Sequence, residues 1–189
     1  VSDGFPPAVT GTKFVNISDS LATTSSNDII TGTVSPETIN GGAGNDTLIG
    51  LGDIDTINGD RGDDVIDGGD GNDVITGGSG SDAIYAGLGN DDIDGTSGGI
   101  DDLGVDMVLF SGDIGEYSIT TVSGVTTVID SVGSRDGTDT IENVEILRFA
   151  TGGDHILSYN MWGTSAGDTT LTGNTADDTL KGYVNNDTL

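Results

Sequence analysis

The chain has 189 residues and sets 32 acidic against 5 basic side chains, a net charge of −27 that excludes a phosphate-binding surface and hence a nucleic-acid partner. It has no cysteine, which excludes disulfides and thiol sites, and no apolar run long enough to span a membrane. With 33 glycines, 5% aromatics and 33% hydrophobics it fits neither an ordinary globular core nor a solvated acidic tail, so a regular but thin architecture is expected.

Residues 1–22 form an N-terminal flank that opens at Val1 without an initiator Met, a basic n-region or an apolar h-region. This predicts a mature product or an excised piece. From residue 23 a nine-residue phrase begins. With Gly41 as position one the chain reads GGAGNDTLI, GLGDIDTIN, GDRGDDVID, GGDGNDVIT, GGSGSDAIY and AGLGNDDID, ending at Asp94. Position six is Asp46, Asp55, Asp64, Asp73, Asp82 and Asp91. Position eight is Ile30, Ile39, Leu48, Ile57, Ile66, Ile75, Ile84 and Ile93, with Asp28 and Glu37 at position six of two earlier, degenerate copies. Chance would place these eight apolar residues in register roughly once in ten thousand trials, so the period is a property of the chain.

Positions one to five are rich in Gly, Asn and Ser, which accept positive φ at little cost, and are expected to turn. Positions six to nine, such as DVIT and DTLI, are expected to form a short strand with the aliphatic residue inward. Two units then make one coil of eighteen residues, and coils stack at about 4.8 Å. Alternate units align their acids: Asp46, Asp64 and Asp82 on one edge, Asp55, Asp73 and Asp91 on the other. Carboxylates about 5 Å apart repel by roughly 3 kcal/mol at an effective dielectric near 20. A hard divalent cation relieves this, and Ca²⁺, with six to eight oxygen ligands from carboxylates and carbonyls, fits better than strictly octahedral Mg²⁺. Zinc is disfavoured by a chain with one His and no Cys.

The phrase GGxGxDxUx, with U aliphatic, resembles the calcium-binding repeat of RTX proteins. The resemblance is strong over residues 41–94 and weak over 23–40. It implies an all-β fold, a right-handed parallel β-roll over residues 23–103. It implies that each Ca²⁺ lies between a turn and the turn two repeats later. The earlier turn would give carbonyls from positions two and four plus its Asp; the later would give carbonyls from positions one and three plus its Asp. Carried over, one ion meets Gly42, Gly44, Asp46, Gly59, Arg61 and Asp64, and a second meets Leu51, Asp53, Asp55, Gly68, Asp70 and Asp73. A third meets Asp60, Gly62, Asp64, Gly77, Ser79 and Asp82, and a fourth Gly69, Gly71, Asp73, Ala86, Leu88 and Asp91. Leu51 and Asp53 depart from the family's glycines, and Glu37 with Pro36 departs from its acid turn. At the copy from residue 95, Ile100 replaces the position-six Asp, and the roll is expected to end there.

Residues 104–162 change period. "VDMVLFSG", "EYSITTVSGVTTVIDS", "TDTIENVEILRF" and "HILSYNMW" alternate and carry β-branched and aromatic residues, with "TVSGVT" read as a hairpin turn. The segment, notably "RDGTDTIENVEILRFA", is similar to a β-rich module that follows RTX repeats in large secreted bacterial proteins, and is expected to cap the roll's open end. Residues 163–189 resume the nine-residue period, with Asp178 and Asp187 at position six, and stop mid-repeat, so the chain is expected to be a fragment of something longer.

Other motifs carry less. Residues 90–101 fit an EF-hand-like loop through Asn90, Asp92, Asp94, Gly95 and Asp101, but no helical pattern flanks it, so a worn repeat is the better reading. Arg61, Gly62 and Asp63 spell an integrin-type tripeptide inside a repeat turn, and chance accounts for it. The sequons at Asn45 and Asn186 follow from the repeat itself. No HExxH or GxSxG is present, the one histidine is His155, and acids this dense make a glycosidase-like pair uninformative. A regular outward Thr ladder, as an ice-binding roll would need, is missing at position seven.

The resulting expectation is a non-enzymatic, calcium-binding structural or adhesive module of a secreted or cell-surface bacterial protein, exported by a type I route and folding on Ca²⁺ outside the cell. Its expected partners are calcium ions, further repeats of the same chain, and cell-surface or matrix components. The alternative is the non-catalytic C-terminal part of a secreted protease, lipase or alginate epimerase.

Overall fold

The structure, a computed structural model, describes residues 25–96, 104–133 and 135–157. The N-terminal flank, the second repeat block from residue 163, and Asp101 of the EF-hand-like stretch lie outside the described residues.

Eight short strands succeed one another through the repeats: β1 (Ile29–Thr31), β2 (Thr38–Ala43), β3 (Thr47–Ile49), β4 (Thr56–Arg61), β5 (Val65–Asp70), β6 (Val74–Ser79), β7 (Ala83–Leu88) and β8 (Asp92–Thr96). Successive units alternate between two sheets. Odd strands pair in parallel in one, even strands in the other, so the chain winds as a parallel β-roll. Each residue stands beside the one eighteen places on, as in Ile57 beside Ile75 and Ile66 beside Ile84. The position-eight aliphatics from Ile30 to Ile93 are all buried and make the column between the sheets. Each contributes roughly 2 kcal/mol by leaving water, a thin core for so much backbone.

The strands are longer than expected and the turns tighter. They run from position seven to position three of the next unit, as in Val65–Asp70, because the position-two and position-three residues also pair across coils. Alternation then turns positions six, eight and one inward. At position one the inward space is already taken: a Cβ on Gly41 would lie 2.7 Å from both Asp46 Oδ2 and the Gly59 carbonyl oxygen.

The sheets also run past the point where the nine-residue period stops. The roll was expected to end at the worn copy from residue 95, but β9 (Met107–Asp113) pairs in parallel with β7, and β12 (Thr138–Glu142) pairs in parallel with β8. Next, β13 (Ile146–Thr151) pairs in parallel with β9. Val108, Ile141 and Leu147 extend the buried column, because Asp106-Met-Val and Asp139-Thr-Ile repeat the inward acid and inward aliphatic at the right offset. Antiparallel strands then finish each sheet: β14 (Asp154–Ile156) against β13, and β10 (Tyr117–Val122) and β11 (Val125–Asp130) beyond β12. The predicted hairpin turn is present, with Ser123 and Gly124 at φ 55° and 89°, the left-handed pair of a type I′ turn.

Aromatic side chains fill this end. Phe110 and Phe149 stack with centroids 5.1 Å apart, Tyr117 tilts against both, and Arg135 lies 5.1 Å above the Tyr117 ring. Arg135 pairs at 2.7 Å with Glu116 and with Asp130, tying a short 3₁₀ turn, Ile114–Glu116, to the end of β11.

Candidate metal centre

Position six turns each aspartate inward at the coil edge, and its two oxygens have different surroundings. Oδ1 accepts the backbone N–H of the aspartate one coil earlier: Asp46 N–H to Asp64 at 2.7 Å, Asp55 to Asp73 at 2.8 Å, Asp64 to Asp82 at 2.8 Å, Asp73 to Asp91 at 2.9 Å. The degenerate copies join the same ladders, since Asp28 N–H reaches Asp46 and Glu37 N–H reaches Asp55. The expected partition of the acids between two edges is therefore observed.

Oδ2 of Asp46, Asp55, Asp64, Asp73 and Asp91 is buried and has no hydrogen-bond partner. Leaving a buried carboxylate oxygen unsatisfied is costly, yet the pattern recurs at every regular turn named. The surroundings are main-chain carbonyls. Cβ atoms placed on Gly68 or Gly77 would collide with the turn's own Asp Oδ2 and with the position-one carbonyl of the next coil, as at Gly41. Positions two and four hold positive φ throughout, as at Gly42, Gly44, Gly69 and Gly71, which turns successive carbonyls to the same edge. Leu51, Asp53 and Asp60 take the same conformation without being glycine, at φ 82°, 71° and 73°.

The sequence-expected ligand residues meet in the expected pairs. Position two stands over position two and three over three, as Gly42 beside Asp60, Arg61 beside Ser79, and Asp70 beside Leu88. The position-three carbonyls of Arg61, Ser79 and Leu88 also accept the N–H of Gly44, Gly62 and Gly71 at 2.8–2.9 Å, and a carbonyl has a second lone pair to offer. The side chains of Asp53 and Asp60 turn elsewhere, Asp53 to the Ile54 N–H and Asp60 to Asn58. Among the described residues no three His, Cys, Asp or Glu side chains converge. Each gap is thus flanked by two carboxylates, and its remaining oxygens are carbonyls, a donor set that suits Ca²⁺ and not a nitrogen- or sulfur-seeking metal.

Burial, ahead of all other causes, raises the carboxyl pKa of Asp46 and Asp73, and lifts Asp55 to about 6 and Asp64 and Asp91 to about 7. Neighbouring acids on the same edge add to it, Asp82 and Asp46 around Asp64, and Asp73 around Asp91.

Two features escaped the sequence reading. Position five carries a second ladder of opposite direction, in which the earlier side chain accepts the later amide: Asn27 from Asn45, Asn45 from Asp63, Asp63 from Ser81, Asn72 from Asn90. The recurrent Asn-Asp pair was its visible sign. Asp106 and Asp139 also join the position-six ladders, accepting from Asp82 and Asp91 at 2.8 and 3.0 Å despite separations of 24 and 48 residues. Their signals were Gly104-Val-Asp106-Met-Val108 and Gly137-Thr-Asp139-Thr-Ile141, which keep the second half of the repeat. Of the weaker motifs, Asp92–Thr96 is a strand of the sheet, and Arg61 and Asp63 lie exposed at a turn. His155 falls within β14.

Turns that bring paired aspartates and convergent carbonyls together at every coil define a calcium-binding repeat protein. The family model described as RTX calcium-binding nonapeptide repeat (4 copies) matches residues 16–48, 31–66, 40–75, 49–84, 67–99 and 164–189, and the chain belongs to this family. Several Ca²⁺ ions are accordingly its cofactors. Among solved structures, the chain is similar to the AlgE6R3 subunit of the Azotobacter vinelandii mannuronan C5-epimerase. The identity is 18%, the TM-score 0.34, and the match covers 93% of this chain and 99% of that one. The comparison with curated proteins found no match.

Proposed function

We propose that this chain is a calcium-dependent structural and adhesive module of a secreted or cell-surface bacterial protein, in which ion binding and folding are one event. The supporting observation is the row of buried Asp Oδ2 atoms without hydrogen-bond partners, each beside a main-chain carbonyl of the next coil. Bound calcium would neutralise these carboxylates and tie adjacent coils. The chain's own residues hold the geometry: position-six Oδ1 fixes each turn to the one before, and positive φ at positions two and four aims the carbonyls. The four ligand sets named from the resemblance, from Gly42 to Asp91, are the proposed sites. Binding energy is then folding energy, and extracellular modules of this kind work at about 10⁻⁴ to 10⁻³ M calcium. Such a chain stays open where calcium is scarce and closes where it is plentiful, which favours a role outside the cell. The acids serve structure rather than catalysis in this reading.

Circular dichroism and melting temperature in EDTA, in millimolar Ca²⁺ and in Mg²⁺ of equal ionic strength test it. Strand signal and Tm are expected to rise with calcium alone. An equal response to magnesium, or a fully folded chain in EDTA, would reduce the roll to an acidic fold that needs only screening.

A further inference from the structure

We propose a further calcium site outside the nine-residue repeats, between the turn ending in Asp91 and the loop leading to Asp139. The family match stops at residue 99 and resumes at 164, so neither the repeat nor its spacing assigns Asp139 a role. The structure nevertheless stacks this loop on the Asp91 turn as one more coil. Thr140, Ile141 and Glu142 pair in parallel with Asp92, Ile93 and Asp94. The Thr138 N–H donates to Asn90 Oδ1 at 2.8 Å, continuing the position-five ladder, and the Asp91 N–H donates to Asp139 Oδ1 at 3.0 Å, continuing the position-six ladder.

Two observations independent of this stacking point to a cation. Asp91 and Asp139 are 2% and 1% exposed, and Oδ2 of each is buried without a hydrogen-bond partner, as at the regular turns. Gly137 holds φ 73°, and a Cβ there would collide with the Gly89 carbonyl oxygen, as one on Gly89 would with that of Gly71. The main-chain cradle of the regular site is thus reproduced one coil on. Its oxygens are the carbonyls of Gly87 and Gly89, the two carboxylates, and the carbonyl of Asp136 at position three.

The side chain of Asp136 is committed elsewhere. It accepts the Ser111 N–H at 3.0 Å, the Ser111 hydroxyl at 2.7 Å and the Tyr117 hydroxyl, which leaves its main-chain carbonyl to face the ion. Arg135 is likewise held away by Asp130 and Glu116. Ala86 replaces the usual Gly at position one of the lower turn. Its methyl is buried, yet Asp91 keeps its 2.9 Å bond from the Asp73 N–H, so the carboxylate is not displaced. The neutral-oxygen and carboxylate mixture selects a hard divalent cation of calcium's size.

The proposal rests on the reading that the regular turns bind calcium, and the test separates the two. Calcium bound per chain is measured by equilibrium dialysis with Ca²⁺ for the unaltered chain, Asp139→Asn and Asp73→Asn, with circular dichroism reporting the fold. Asp139→Asn keeps an oxygen for the Asp91 N–H and is expected to bind one ion fewer with strand signal intact. If Asp73→Asn lowers the count and Asp139→Asn does not, the further site is wrong while the repeat sites stand. If neither lowers it, both readings fall. Should Asp139→Asn fail to fold in calcium, the unaltered chain decides: the ¹³C carbonyl resonances of Gly87 and Gly89 are expected to shift on calcium titration along with those of Gly69 and Gly71. Shifts at the latter pair alone would overturn the site.

Discussion

The two ends of the roll reach one architecture by different means. From Asp46 to Asp91 the coil edges carry buried carboxylate oxygens with no protein partner, and the core is a single column of aliphatic side chains. From Met107 to Ile156 the same two sheets continue, but Phe110, Tyr117 and Phe149 pack together and Arg135 neutralises Asp130 and Glu116. One region leaves its charges to an ion; the other largely settles them within the chain. The lesson is that a parallel roll is compatible with either solution, and that the solution sets which part of the molecule senses calcium.

Calcium withdrawal should separate the regions most. Under EDTA, amide hydrogen exchange is expected to accelerate by orders of magnitude in β4 to β7 and far less in β10, β11 and β13. Uniform acceleration would show that the aromatic end depends on the ions as much as the repeats do.

Single acids come next. Asp73→Ala strips the Asp55 N–H of its acceptor and opens two proposed sites. Orphaning that donor alone costs about 1–3 kcal/mol, and loss of the sites adds to it. Asp67→Ala, at the exposed position nine, should stay within about 0.5 kcal/mol. Chemical denaturation in calcium reads the difference, and equal effects would contradict the assigned register. In EDTA the Asp73→Ala penalty should shrink, since the substitution also removes a buried charge.

pH sharpens the contrast further. Burial holds the carboxyls of Asp55, Asp64 and Asp91 at about 6 to 7, above their ordinary 3.8. A raised folded pKa means that the folded chain binds protons more tightly than the unfolded one. Without calcium, stability is therefore greatest below the ordinary carboxylate range and falls as pH rises through about 7. With calcium the sign reverses, because protons compete for the same oxygens. The calcium midpoint, followed by circular dichroism, should move to higher concentration as pH drops from about 7.5 to 5.5. The salt-bridged Asp130 and Glu116 are shifted downward and should not contribute across that window.

The smallest effect is local. Leu51 holds φ 82° with its side chain exposed, so Leu51→Gly should relieve left-handed strain. The net gain, by up to about 1 kcal/mol after glycine's unfolded-state entropy, should appear as a slightly higher Tm in calcium.

Most of the repeat region was legible because its period is uniform. An acid at position six and an aliphatic at position eight determine both the inward column and the two edges. Strand length was misjudged because glycine-rich positions one to three look like turn by composition, whereas pairing across coils makes them strand. The distal coils were illegible for a different reason. Asp106 and Asp139 occupy the same rungs as the repeat acids, but separations of 24 and 48 residues hide them from any periodic reading. Only the half-motifs at Gly104 and Gly137 survive in the sequence, and they acquire meaning once β9 and β12 lie beside β7 and β8.

The alternation of strands between two sheets also governs how such a protein can change length in evolution. Each acid bonds to the amide eighteen residues before it, so inserting or deleting eighteen residues returns every downstream strand to its own sheet. A change of nine residues exchanges the sheets for everything that follows. The hairpin beyond β12 and the strand beyond β13 would then be delivered to the wrong faces, and each sheet would lose the terminus built to fit it. Growth by pairs of units is silent and growth by single units is not, so the parity of the repeat number is itself under selection.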